Sequence, residues 1–548
     1  MKPCTLSDYE QAYKDRHLLH GVLARWAEVK PEAAALVNHN RTRTLKWAEL
    51  ESLTTAVAAG LLRLGFRRGD YLAASLPFLT EHVLLEYACF KIGVIHAPLD
   101  LRLSPAEVLR CLAQINPRGF AFLGKTPAAD FRELGLAVRR GCASVEHLIQ
   151  FSPAAETVEG AIPFERLAGG TRCEQPADAV HEDDPAQVIF TTGSTGSPKP
   201  ALLSHRNITC QNLCLGTAFG FGESTRLLVN LPPSHVGGQA EALMTTFFWG
   251  GTVILLEVFD ATRSLEVVER HRVNILGQIP AMYNYEWRLA DFDRFDLSSL
   301  EIAIYGGQQV SRPFLERLSR MAPRIATGLG LTEAAGFCTY TPAGGVDEVL
   351  AGIGRDMPLY RMSIRAPMRS GGLAGEELPA GEVGEICFTG PQTFLGYVND
   401  PESTARTISR DGFLYTGDMG SVDGAGLRFS GRSKWIIKPG GHQVFPGDVE
   451  SHIAALDEKV STCAAVGVAH QLLSEAIVAF VEKKPGVELT VAELRRHARS
   501  LTSYMRPLHY VILEPGSMPL NRAAKSDYLR LRETAELEAK KLGWSAAS

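Results

Sequence analysis

The chain has 548 residues, 45% of them hydrophobic and 21% charged, which is enough to bury large cores and too much for a single one. A formal net charge of -5 and the lack of any Lys/Arg block exclude nucleic acid as the main partner, because binding a phosphate backbone needs a concentrated basic face. Ten cysteines are scattered without a CxxC pair, which points to free thiols in a reducing compartment rather than to disulfides or zinc.

Met1 to Glu10 has no apolar core behind basic residues, so it does not read as a signal peptide, and the expected compartment is cytoplasmic. From Leu45 to about Phe122 helical and strand-like segments alternate. Trp47 to Leu64 is amphipathic, Tyr71 to Leu76 is strand-like, Glu81 to Ile92 is helical, and Val94 to Leu99 is strand-like again. The alternation continues through Val188-Ile-Phe, Leu227 to Leu231, Val253 to Leu256, Ile275-Leu-Gly and Ile302 to Tyr305. It predicts an α/β fold with parallel-rich sheets layered with helices. Ala242 to Leu256, bounded by Glu241 and Glu257, is too short and too broken by Gly250-Gly251 to span a bilayer; it reads as buried helix, glycine turn and buried strand. After the glycine-rich stretch Ser421 to Gly431 the texture changes. The expected organisation is a large domain over 1–432 and a small α+β domain over 433–548.

The most informative stretch runs from Val188 to Pro200, where a buried strand passes into Thr191, Thr192, Gly193, Ser194, Thr195, Gly196 and Lys199. Glycines let backbone wrap an anion, hydroxyls and amides donate to phosphate oxygens, and the lysine supplies positive charge. The spacing is neither that of the Walker loop nor that of the GxSxG serine elbow. Thr332 and Glu333 follow a glycine-rich bend and pair a hydroxyl with a carboxylate suited to magnesium shared with phosphates. Asp418 ends a turn-like Tyr-Thr-Gly-Asp and offers two acceptor oxygens to a sugar diol. Lys525 ends a Pro-Leu-Asn-Arg-Ala-Ala-Lys run and is the candidate catalytic cation, a positioned ammonium able to stabilise developing negative charge.

These stretches, in this order, resemble the adenylate-forming superfamily of acyl-CoA synthetases, peptide-synthetase adenylation domains and firefly luciferase. The run Thr191 to Lys199 is similar to its signature loop, Gly328 to Glu333 to its adenine and magnesium motif, and Tyr415 to Asp418 to its ribose motif. Gly431 to Lys438 with Gly441 looks like the hinge, and Pro519 to Lys525 like the catalytic-lysine loop. The resemblance spans nearly the whole chain. It implies ATP, Mg2+ and coenzyme A as cofactors, with Gly306, Gly328 and Leu329 at the nucleotide, Arg432 at ribose or phosphate and Lys434 at the hinge. It also implies Lys438, Gly440 and Gly441 at coenzyme A and His235 beside the acyl pocket, where Gly237 and Gly238 leave room. The implied activity is a two-step acid:CoA ligase acting on an aryl, alicyclic or fatty acid, with a homodimer as the expected assembly. The alternatives are a ligase that loads a separate acyl carrier protein or another nucleophile, and a non-catalytic ligand-binding homologue. About two dozen residues follow Lys525 and read as a charged helix, so no carrier domain is expected there.

Three residues depart from that pattern: Pro200 and Ala524 where glycine is usual, and Leu329 where an aromatic residue commonly stacks on adenine.

Overall fold

A computed structural model describes residues 4–40, 42–127, 129–152, 154–168, 180–191, 198–308, 310–521 and 525–544. The apolar runs become the strands of two large sheets. One has seven strands in the spatial order Arg324–Ala326, Ile302–Tyr305, Ile275–Gln278, Arg226–Val229, Thr252–Leu255, Ala34–Asn38 and Arg43–Lys46, parallel except for the closing hairpin. The other has eight strands: Gly396–Tyr397, Lys199–Ser204, Pro185–Thr191, Ile95–Pro98, Tyr71–Ser75, Gly119–Leu123, His147–Phe151 and Ala161–Pro163. It is parallel from Pro185–Thr191 onward and antiparallel at the first two pairings.

Helices Trp47–Arg63, Thr80–Lys91 and His205–Phe219 and the short helix Thr245–Phe248 pack between strands of the two sheets. Thr80–Lys91 and His205–Phe219 are buried on nearly every face, polar residues such as His82, Glu86, Gln211 and Asn212 included. Cys210 and Cys214 share a face of His205–Phe219, and both are buried and free. The run around Ala242 folds as read: helix, Gly250 at φ +77°, then the buried strand Thr252–Leu255. Among the described residues no helix is long and apolar enough to cross a membrane.

The parallel alternation does not extend to residue 430. Arg361–Arg365, Gly384–Thr389, Leu414–Asp423 and Gly426–Arg432 form an antiparallel four-stranded sheet whose short, glycine-rich connections carry little helical signal. From Ile437 on, the strands Val460–His470, Ser474–Lys483 and His509–Leu513 form a separate sheet. Each face of it has its own apolar cluster, one around Val449, Ile453 and Leu494 and the other around Phe480, Leu531 and Ala535.

Inside the large unit, helix spacing and strand pairing bring together a polar cluster that the sequence does not announce. His82 and Glu86 lie one turn apart on Thr80–Lys91, and His96 and Gln187 are register partners on adjacent strands. Gln187 donates to Glu86 Oε1 at 2.7 Å, the His96 ring nitrogen stands 3.1 Å from the same oxygen, and the His82 ring bonds the Pro77 carbonyl at 3.0 Å. The atoms have ligand spacing, within 4.8 Å of one another, but Glu86 is already engaged, and we read the cluster as structural. Burial pushes Glu86 up to about 7 and the His82 and His96 rings down to about 4 and about 3. Folding therefore favours the protonated carboxyl, a contribution complete below a carboxylate's ordinary value and lost as pH rises through about 7. The two depressed histidines contribute in the opposite sense, present above about pH 6.5 and lost as pH falls.

Apparent Tm is expected to fall between pH 6 and pH 8 in thermal melts, and Glu86→Gln to flatten that fall by removing about 1 kcal/mol of pH-dependent destabilisation. Parallel wild-type and variant profiles would show that Glu86 is not the group responsible.

Candidate active site

In open parallel sheets, ligand crevices form beyond the carboxyl ends of the strands, and most of the candidate residues lie there. Pro185–Thr191 delivers Thr191, with Lys199 opposite it on the next strand. The intervening candidates Thr192, Gly193, Ser194, Thr195 and Gly196 lie outside the described residues, as does Ala524. Pro200 is accommodated near the start of its strand, where its carbonyl accepts from Val398 at 2.9 Å and the missing N–H costs little. The seven-stranded sheet contributes His235 beyond Arg226–Val229, Gly306 and Gly307 after Ile302–Tyr305, and Gly328 after Arg324–Ala326.

Lys199 Nζ donates to Ser403 Oγ at 3.0 Å and lies 5.0 Å from the centre of the Tyr397 ring. Tyr397 donates its hydroxyl to Glu333 Oε1 at 2.6 Å, and Arg406 donates to Ser403 Oγ at 3.1 Å. Burial and the Glu333 charge hold the Tyr397 phenol far above its usual range, so it stays a donor. Tyr397, Ser403 and Arg406 are absent from the sequence reading, although a signal for them is legible. Asp400-Pro401 is an N-cap followed by proline at the first helical position and marks the helix Pro401–Thr407.

Gly328 opens the ribbon that carries Thr332 and Glu333. A Cβ there would stand 2.0 Å from the Thr339 carbonyl oxygen, so close backbone approach demands glycine. The ribbon is tied by Leu329 N–H to Thr339 Oγ1 at 2.8 Å and turns through the short helix Thr332–Ala334, leaving both site residues half-buried. Leu329 packs on the main core and stays partly exposed. A cavity beside the ribbon is lined by Glu333, Glu385, Tyr397, Arg406, Thr416 and Gly417. Thr332 and Glu333 form an all-oxygen set on a short turn, with one carboxylate oxygen fixed by Tyr397, and this chemistry fits Mg2+.

Asp418 sits in a strand rather than in the turn expected for it. Register shifts between Glu385 and Cys387, so residues 416–418 bulge out of Leu414–Asp423, with Gly417 at φ +73° and its N–H bonded to Glu385 at 2.8 Å. The bulge buries Asp418 at 2% exposure and pairs it across the hairpin with Arg432, whose Nε donates to Oδ1 at 3.1 Å. Burial raises the Asp418 carboxyl, against the pull of the Arg432 and Lys525 charges.

Lys525 comes from the small unit, at the end of a loop closed by its own backbone bonds to Asn521. The residue as a whole is exposed, yet its tip reaches Gly307: a Cβ there would stand 3.4 Å from Lys525 Cε and 4.0 Å from Nζ. Surrounding protein and the Arg432 charge lower the ammonium below the usual lysine range, and Asp418 opposes this. His235 is likewise accessible but walled in. Gly237 N–H donates to its Nδ1 at 3.0 Å, which leaves Nε2 as the donor of the neutral ring, and burial with the nearby Lys525 charge pushes it down to about 4.

Lys434 lies over Trp435 at 4.8 Å, and Trp435 stacks on Tyr528. Lys438, Gly440 and Gly441 form an exposed hairpin, closed by Ile437–Val444 bonds and a turn from Pro439 to His442, with both glycines at positive φ. Its bonds run to Glu475 and Leu473 of the small unit, so these three residues stand apart from the Asp418–Lys525 group.

Residues 23–398 match the AMP-binding enzyme family, and residues 448–525 match the AMP-binding enzyme C-terminal domain. The chain is 32% identical to a feruloyl-CoA synthase of Amycolatopsis sp over 88% of this chain and 92% of that one. It is 26% identical to a mitochondrial medium-chain acyl-CoA ligase of Macaca fascicularis, over 96% and 89%. The fold matches ATP-bound MatB from Rhodopseudomonas palustris with a TM-score of 0.82, 24% identity and coverage of 95% and 99%.

Asp418→Asn keeps the shape and removes the charge that Arg432 faces. Titration calorimetry should find ATP bound roughly tenfold or more weakly, the worth of a charged hydrogen bond. Unchanged affinity would remove Asp418 from the nucleotide site.

Proposed function

The chain belongs to the family of AMP-binding enzymes, and from that premise we propose how its own residues divide the work of an AMP-forming acid:CoA ligase. ATP, coenzyme A and a small-molecule carboxylic acid are its substrates. The observation that carries the assignment of roles is the Lys525 tip at Gly307, within the field of Asp418, Arg432 and His235.

In the first step a carboxylate oxygen of the acid bonds to the α-phosphorus while the bond to pyrophosphate breaks, leaving an acyl-adenylate. Asp418 accepts the ribose hydroxyls with Arg432 beside it, and Lys199 with the Thr191–Gly196 hydroxyls and amides holds the phosphates. Lys525 neutralises the charge that gathers on the oxygens around the α-phosphorus. His235, neutral with Nε2–H outward, orients the acid's carboxylate, and Leu329 covers the base beside Gly306 and Gly328. Glu333 with Thr332 would hold Mg2+, which when bound neutralises phosphate charge.

In the second step the coenzyme A sulfur bonds to the acyl carbon as the carbon–oxygen bond to AMP breaks, and the thiol proton leaves to solvent. Lys525 has no part in that step. We place the hinge at Lys434, between a large domain of residues 1–432 and a small one of 433–548, whose rotation brings the Lys438–Gly441 hairpin to the cleft. The acid is aryl, alicyclic or fatty, in keeping with the range of names among the relatives.

Lys525→Ala should lower acid-dependent pyrophosphate release about 100-fold or more, while thiolysis of a synthetic acyl-adenylate by coenzyme A stays near the wild-type rate. Equal loss in both steps would reject the division of labour. Release without thioester, restored by an acyl carrier protein, would replace coenzyme A as acceptor.

A further inference from the structure

One acidic group beside His235 takes no part in the chemistry above. Gly237–Met244 is a π-helix, in which Glu241 N–H bonds the Val236 carbonyl five residues back at 3.0 Å. Such wide turns recur where a side chain is aimed at a ligand. Here the wide turn sets the Glu241 carboxyl among glycines. A Cβ on Gly237 would stand 3.1 Å from His235 Nδ1 and 3.4 Å from a Glu241 oxygen, so one methyl-sized point touches both groups. A Cβ on Gly330 would lie 3.4 Å from the other oxygen, and one on Gly336 2.8 Å from it. Gly330 belongs to the ribbon that carries Glu333, so the carboxyl, the ribbon and His235 border the same space.

Among the described residues no cation pairs with Glu241, and its side chain is half-buried rather than shut away. Surrounding protein raises it to about 8, with only the Phe337 backbone opposing. A carboxyl desolvated with a backbone bond but no side-chain partner among the described residues costs stability, and the missing side chains of Gly237 and Gly330 keep room for a group to meet it.

We propose that Glu241 is the specificity residue of the acyl pocket, and that the acid activated here carries, away from its carboxylate, a hydrogen-bond donor, a hydroxyl or an ammonium, which docks on Glu241 in the space left by Gly237 and Gly330. This rests on the cleft being the acid-adenylating site. An apolar tail is disfavoured because it leaves the carboxyl desolvated with no side-chain partner, and sites built for a donor reject isosteres that lack it.

The test uses the full chain and acids matched on aryl and linear skeletons that differ at one position: hydroxyl, aminomethyl, methyl or carboxyl. The readout is kcat/KM for pyrophosphate release with coenzyme A. Wild type should prefer a donor acid over its methyl isostere by roughly tenfold or more. Glu241→Leu should invert that preference, with release from the methyl acid proving the variant folded. Glu241→Gln should spare the hydroxyl acid and lose the aminomethyl acid, which identifies the donor. Equal turnover of donor and methyl acids by wild type, or a preference unchanged in Glu241→Leu, overturns the proposal. Absence of release from every acid overturns the adenylating reading itself, and the proposal with it.

Discussion

The ammonium of Lys525 is carried by the small unit, but the groups that set its environment belong elsewhere. Gly307 and His235 come from loops of the seven-stranded sheet, and Asp418 and Arg432 from paired antiparallel strands. A cation held there needs the Asp418 charge to offset desolvation and the second cation at Arg432. The position of Lys525 thus depends on one long-range electrostatic placement that exists only while the two units meet, and in the proposed reading that placement puts its charge where an α-phosphate gains negative charge.

The large unit makes that placement possible by layering. Two mostly parallel sheets trap helices between them, and their strands discharge loops toward a common crevice. Layering carries a cost, because polar groups caught between the sheets lose water. Gln187 bonds Glu86, the Pro77 carbonyl bonds His82, and burial holds the His82 and His96 rings neutral, while Gln278 bonds Glu286, which burial raises to about 7. Glu241 has a bond from the Phe337 backbone but no side-chain partner among the described residues, which is why it stands out from those carboxyls.

The small unit has cores on both faces of its own sheet, so it can keep its fold while changing its face toward the cleft. With Lys525 inward, the Gly440–Gly441 hairpin is exposed and bonded only within its own unit. In the proposed reading, each of the two reactions uses a different small-unit surface over the same adenylate.

Local chemistry was enough for the sequence to determine the alternating strands and helices, the glycine-and-hydroxyl run after Val188, and the candidacy of Glu333, Asp418 and Lys525. Apolar periodicity and the pairing of glycine with oxygen donors are written in neighbouring residues. Other features were legible only in three dimensions. The partnership of Lys199 with Ser403, of Tyr397 with Glu333, and of His96 with Glu86 and Gln187 joins positions far apart in the chain, and only the packing of helices against strands brings them to hydrogen-bond distance. The sequence presents Glu241 as the edge of an apolar run and Asp418 as the end of a turn. Tertiary structure makes the first a carboxyl beside His235 and the second a buried partner of Arg432, because wide helical turns and strand bulges arise from packing, which leaves no local periodic mark.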